Sequence, residues 1–181
     1  MARPETRHFL GYRLQPVESG RVEVMLSERS EKRLRQRILE LTPRSCGRSL
    51  DAIISEINVY LQGWLGHFRV CTSGIEQVIQ RADAHIRRRL RAIVLKHWKT
   101  KRTMARRLIQ LGIKRKSAWQ GIYKGRQSIW ALSHNPVVDR GLRNAYFANR
   151  GFVTLLGRFR LIWAAINAPA QLMLPLGSTR S

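Results

Sequence analysis

Acidic residues are scarce in this chain. Eleven Asp and Glu stand against thirty-four Lys and Arg in 181 residues, a formal charge of +23 with pI near 11.7. A folded domain carrying so much unneutralised positive charge repels itself, and a polyanion is the partner that relieves the repulsion. The scarcity also limits chemistry. Asp51, Asp83 and Asp139 are the only aspartates and no two acids are adjacent, so no converging carboxylate set for two-metal phosphoryl transfer can be assembled. Cysteine is almost as rare. Cys46 and Cys71 form no C-x-x-C pair and have no histidine at ligand spacing, which excludes a zinc knuckle or a disulfide framework. The opening MARPETRHFLGYRLQ has no apolar leader, so reduced thiols in a cytoplasmic protein are expected. The five histidines (His8, His67, His85, His97 and His134) make no H-E-x-x-H or H-x-x-x-H pair, and there is no G-x-x-x-x-G-K-[ST] loop. Neither a metal nor a cofactor is expected, and His85 and His97 read as solvated or phosphate-contacting. Long hydrophobic runs are missing too. The longest uncharged stretch, residues 161–179, is broken by Asn167, Pro169, Gln171, Pro175 and Gly177, so a membrane span is rejected.

What is present is mostly helical periodicity. Residues 8–26 alternate as strands, HFLGYRLQ and RVEVML around a PVESG turn, and predict one antiparallel pair. A helix is expected from Ser30, its N-cap, to Pro43, a second from Ser49 or Asp51 to about Arg69, and a third from Ile75 to about Trp98. KTKR reads as a hinge, TMARRLIQLG as a short helix closed by Gly112, and residues 113–136 as short helices and loops. NPVVDRGLRNAYFANRG predicts one helix with Asn135 as cap, Pro136 in the first turn and Gly151 as stop. A last amphipathic helix follows. The fold class is therefore mainly α, a helical bundle with a short N-terminal antiparallel β-strand pair. It divides as 1–26, a bundle at 27–112, and a basic helical extension with an apolar tail at 113–181.

The second helix is the most legible. At about 100° per residue, Leu50, Ile53, Ile54, Ile57, Leu61, Trp64, Leu65 and Phe68 fall on one stripe. Gly63 and Gly66 fall on the other side with Ala52, Val59 and Val70, making a smooth back. Each glycine costs a helix about 0.5–1 kcal/mol relative to Ala. A second protein helix is the expected occupant of that back, so Gly66→Leu is expected to lower stability.

The third helix places Ile75, Val78, Ile79, Ala82, Ile86 and Ile93 on its core face and Arg81, Arg87, Arg88 and Arg91 opposite, with Arg89 at the edge. Replacing Arg87, Arg88 and Arg91 with Ala is therefore expected to spare the fold. Further cations follow: Lys99, Lys101, Arg102, Arg106, Arg107, Lys114, Arg115, Lys116, Lys124 and Arg126. Tryptophan and tyrosine are interleaved with them. Cations neutralise phosphates and exposed aromatic faces stack on unpaired bases. Trp98 and Trp130 are expected in the core; Trp119 is read equally as core or as a stacking platform. All of these cations except Arg89, together with Trp119, form the candidate RNA-binding set.

Several segments in this order resemble the C-terminal part of group II intron-encoded reverse transcriptases, the maturase proteins. FLGYRL is similar to the strand motif that closes the polymerase palm. GRSLDAIISEINVYLQGWLGHFRV resembles the signature of the maturase-specific domain, with its Gly63-Trp64 pair followed by Phe68. DAHIRRRLRAIVLKHWK resembles that domain's basic helix and LIQLGI its following turn. WALSHNPVVDRGLRNAYFANRGFVTLL resembles the tail after it in some bacterial members. The resemblance implies a domain that doubles as polymerase thumb, grips structured intron RNA to help it splice, and holds an RNA–DNA duplex. The family's catalytic Tyr-x-Asp-Asp motif would lie upstream of FLGY and is not in the sequence, so no polymerisation by this polypeptide alone is expected. Three forms stay open: a free-standing RNA-binding module, one subunit of a split polymerase that needs a fingers-and-palm polypeptide, or a truncated remnant of a mobile element. A double-stranded-DNA binder is disfavoured, since no helix-turn-helix or zinc module is evident.

Overall fold

The computed structural model describes residues 8–17, 20–43, 47–124 and 128–167. Three short strands open it: β1 (His8–Phe9), β2 (Tyr12–Pro16) and β3 (Val22–Leu26), antiparallel and in that order. The pairing of β2 with β3 is the expected pair, with Leu14 opposite Val24. The third strand arises because FLGY, read as one strand, reverses on itself. Leu10 and Gly11 both take positive φ, 50° and 91°, the hairpin geometry that glycine makes accessible. That turn is tied down, since the Ser27 N–H and the Ser30 hydroxyl both donate to the Gly11 carbonyl, at 3.0 and 2.9 Å.

Helix α1 (Glu28–Leu41) starts three residues before the expected position. Ser27 is its N-cap, accepting from the Ser30 N–H at 3.2 Å, and Ser30 is buried in the first turn. Ser27 takes the capping position instead of Ser30, whose hydroxyl is engaged by the Gly11 turn. Helix α2 (Leu50–Phe68) is capped by Ser49, and its eight buried residues are the eight of the predicted stripe. The back of α2 differs from expectation. A Cβ added at Gly63 or Gly66 meets nothing within 4 Å, and Val59 and Val70 are 71% and 55% exposed. No helix lies against the glycines among the described residues, so the physical ground for a destabilising Gly66→Leu is gone.

Helix α3 (Ile75–His97) is the central element. Every residue from Arg89 to Leu95 is buried, because α1, α2 and two later helices, α6 (Ile129–Leu132) and α9 (Leu155–Asn167), all pack on it. The expected KTKR hinge shrinks to two residues. Lys99 takes φ 59° and Thr100 already caps α4 (Lys101–Gln110). Helices α5 (Arg115–Tyr123) and α6 (Ile129–Leu132) follow. Asn135 caps α7 (Pro136–Gly141) as expected, yet the single helix predicted there is two, α8 running over Asn144–Ala148. Gly141 sits so close to α4 that a Cβ would lie 2.5 Å from Leu108 Cδ2. Helix α9 (Leu155–Asn167) then packs across α2 and α3. Buried residues from Leu34 to Phe159 form one contiguous core, joined by half-buried Trp98 and Trp119. Among the described residues no helix is long and apolar enough to cross a membrane.

Candidate nucleic-acid interface

The four arginines at 87, 88, 89 and 91 divide between two jobs. Arg89 and Arg91 turn inward and each reaches a helix end. Arg89 donates to the side chain and carbonyl of Thr42, the C-cap of α1, and to the Leu39 carbonyl at 3.4 Å. Arg91 donates to the Leu142 carbonyl at 3.1 Å, at the end of α7, and pairs with Asp139. A guanidinium at a helix C-terminus satisfies orphan carbonyls and opposes the helix dipole. The expectation that Arg91 lies opposite the core is therefore corrected. Its charge is spent inside the protein, and it leaves the candidate set.

Arg87 and Arg88 face a cleft of about 580 Å³ between α3 and the α6–α7 turn, lined also by His85, His134 and Asp139. The Arg88 guanidinium lies 4.1 Å from the Trp130 ring centroid, and its Nε is buried without a hydrogen-bond partner. The cation–π contact orients that guanidinium. Burial, followed by the nearby Arg89, Arg35 and Arg88, holds the His85 pKa below its ordinary value. His85 thus adds an uncharged ring to the cleft and no cation. Arg81, further back on α3, is exposed and shared with Glu31 at 3.8 Å.

The larger basic surface is on α4 and α5. No Asp or Glu occurs between Asp83 and Asp139. Elsewhere in the fold, Arg35, Arg37, Arg48, Arg81, Arg91 and Arg150 are paired with carboxylates. Arg102, Arg106, Arg107, Lys114, Arg115, Lys116 and Lys124 are exposed, as is Lys99. Arg107, in the last turn of α4, and Lys124, the C-cap of α5, suit the helix dipole, but most of the other charges work against the helices that carry them. Arg102 and Arg106 are a like-charged i,i+4 pair, destabilising by about 0.2–0.5 kcal/mol. Lys101, Arg102, Arg115 and Lys116 sit at helix N-termini, where the dipole disfavours cations. Trp119 is half-buried and its ring stacks on Tyr123 with centroids 5.3 Å apart. Arg126 lies outside the described residues.

Two polar residues that pattern-reading passed over hold this architecture together. Asp83, 2% exposed, accepts from the Leu155 and Leu156 N–H groups at 2.9 and 3.0 Å, closing the N-terminus of α9. Burial pushes its pKa up, against the two N–H bonds and Arg87, which pull it down. Asn58 donates to the Gly151 carbonyl at 2.7 Å and accepts from the Val153 N–H at 3.1 Å. Both bridge more than seventy residues of sequence, so no local pattern signals them. Burial raises the Cys71 thiol to about 11. No group of three or more potential metal ligands occurs among the described residues.

Residues 31–111 match the family model of the group II intron, maturase-specific domain. No curated protein matches the chain. The matched segment begins in the first turn of α1 and ends just after α4; α5 to α9 lie beyond it. From α1 to α4 the chain is similar to the group II intron, maturase-specific domain.

Proposed function

We propose that this chain is an RNA-binding maturase module that grips structured group II intron RNA and assists its folding and splicing, with no polymerase chemistry of its own. The observation that carries the reading is the carboxylate-free surface of α4 and α5. Its N-terminal cations and the Arg102–Arg106 pair work against their own helices, and closely spaced phosphates would relieve that charge through counterion release. The cleft at Arg87 and Arg88 supplies a second, shaped contact on the same chain. The family match supplies the class of RNA. Arg81, Lys99, Lys101 and Trp119 belong to the proposed interface with the α4–α5 cations; Arg91 does not.

The test is binding to a structured intron RNA and to duplex DNA at matched ionic strength. The RNA is expected to bind tighter, and Arg102→Ala/Arg106→Ala/Arg107→Ala is expected to weaken binding and flatten its salt slope by about 0.7–0.9 per lost contact. Equal affinity for duplex DNA would refute the reading. A second reading is favoured by one feature, the N-terminal sheet, whose Leu10 and Val22 are 69% and 56% exposed. Such a surface suits a polymerase subunit completed by a fingers-and-palm polypeptide. RNA-directed DNA synthesis that requires both polypeptides would support it.

A further inference from the structure

Helix α5 has a buried side at Ala118 and Ile122 and a side face carrying Trp119 and Tyr123, four residues apart. Trp119 is anchored against the core, and its ring stacks on Tyr123 at an interplanar angle of 28°. The Tyr123 ring is thereby held in place while 50% of the residue remains exposed. Tyr123 and Trp163 are the half-exposed large aromatics among the described residues. Only Tyr123 stands within the carboxylate-free surface. The Lys101 ammonium lies 5.9 Å from its ring centroid, at the outer edge of cation–π range, and Lys124 follows it at the end of α5.

We infer that Tyr123, braced by Trp119, is a stacking platform for an unpaired nucleobase, with Lys101 and Lys124 placed for the flanking phosphates. This rests on the RNA-binding reading and adds a second kind of contact to it. Phosphate contacts alone treat a duplex and a single strand much alike. A base already stacked inside a duplex cannot lie on a tyrosine ring, whereas an unpaired base can. The platform also lies beyond the matched segment, so the α5 region would contribute its own recognition of an unpaired strand.

The experiment uses the full chain with a short unstructured pyrimidine oligoribonucleotide, the same strand in a blunt duplex, and its deoxy counterpart. Tyr123→Ala is expected to weaken binding to the single strand about tenfold. Duplex affinity and the salt slope should stay unchanged, because the lost contact is not ionic; the thermal melt should fall only by what the Trp119 stack contributes. Tyr123→Phe should bind like the wild type. A loss confined to the ribo-strand assigns the platform to RNA; an equal loss on the deoxy strand assigns it to unpaired strands of either sugar. Unchanged single-strand affinity in Tyr123→Ala, or an equal loss on the duplex, overturns the platform alone. A wild-type chain that binds no RNA overturns the RNA-binding reading and the platform with it.

Discussion

Arg91 is where charge pattern and structure disagree most, and replacing it separates them. Its guanidinium holds the Leu142 carbonyl at 3.1 Å and pairs with Asp139, whose side chain is 55% exposed. Losing a hydrogen bond from a charged donor costs about 1.5–3 kcal/mol. The pair with Asp139 adds only about 0.2–1 kcal/mol, since the carboxylate is solvated once released. Arg91→Ala should therefore cost about 2–4 kcal/mol, or about 5–12 °C in Tm for a chain of this size. Arg91→Met keeps the packed stem but loses the same polar contacts, so it should also cost about 2–4 kcal/mol, and any further loss in Arg91→Ala measures the packing of the stem. Arg87→Ala, a half-buried neighbour facing the cleft, should stay within about 0.5 kcal/mol. Urea unfolding reads all three through the midpoint, provided the slope m is unchanged. Two results would refute the assignment. Arg91→Ala could prove as mild as Arg87→Ala, or it could lose RNA affinity while its unfolding midpoint stays put.

Asp83→Asn keeps one acceptor for the N-terminus of α9 and turns the other into a donor facing an N–H. It should cost about 1.5–3 kcal/mol in urea unfolding, and a loss below about 0.5 kcal/mol would mean that the Thr154 hydroxyl, which accepts from the Gly157 N–H at 3.1 Å, closes the helix alone. Gly63→Ala and Gly66→Ala should each stabilise by about 0.5–1 kcal/mol, because the added methyl meets open space and helix propensity decides. A lower Tm in either would show that another molecule covers this face.

The α2 core was readable in full because a helix facing a single core writes its contacts into a 3.6-residue period. Local caps were equally readable at Ser49 and Asn135, where the capping side chain and the N–H it accepts are three or fewer residues apart. The period fails at α3 between Arg89 and Leu95, since partners on several sides bury the whole circumference. There an arginine is placed by what ends beside it. Thr42 and Leu142 are 47 and 51 residues away from the arginines that reach them, and nothing near 89 or 91 announces them. The glycines failed for a related reason. A smooth face is visible in sequence, but whether anything covers it depends on the path of the other helices.

The same distinction sets what a salt titration can show. The net charge of +23 is no count of phosphate contacts, because Arg89 and Arg91 close helices and Arg35, Arg37, Arg48 and Arg150 are shared with carboxylates. The seven exposed cations from Arg102 to Lys124, with Arg81, Lys99 and Lys101, set a ceiling of about 7 to 9 on the slope of log K against log salt if each met a phosphate. Arg87 and Arg88 could add at most about 1.4 to 1.8. A slope beyond the first figure therefore requires cations outside this set to meet RNA, those of the cleft among them. One much shallower than about 3 leaves most of α4 and α5 facing solvent in the complex, and the destabilising charge there would still need another polyanion to account for it.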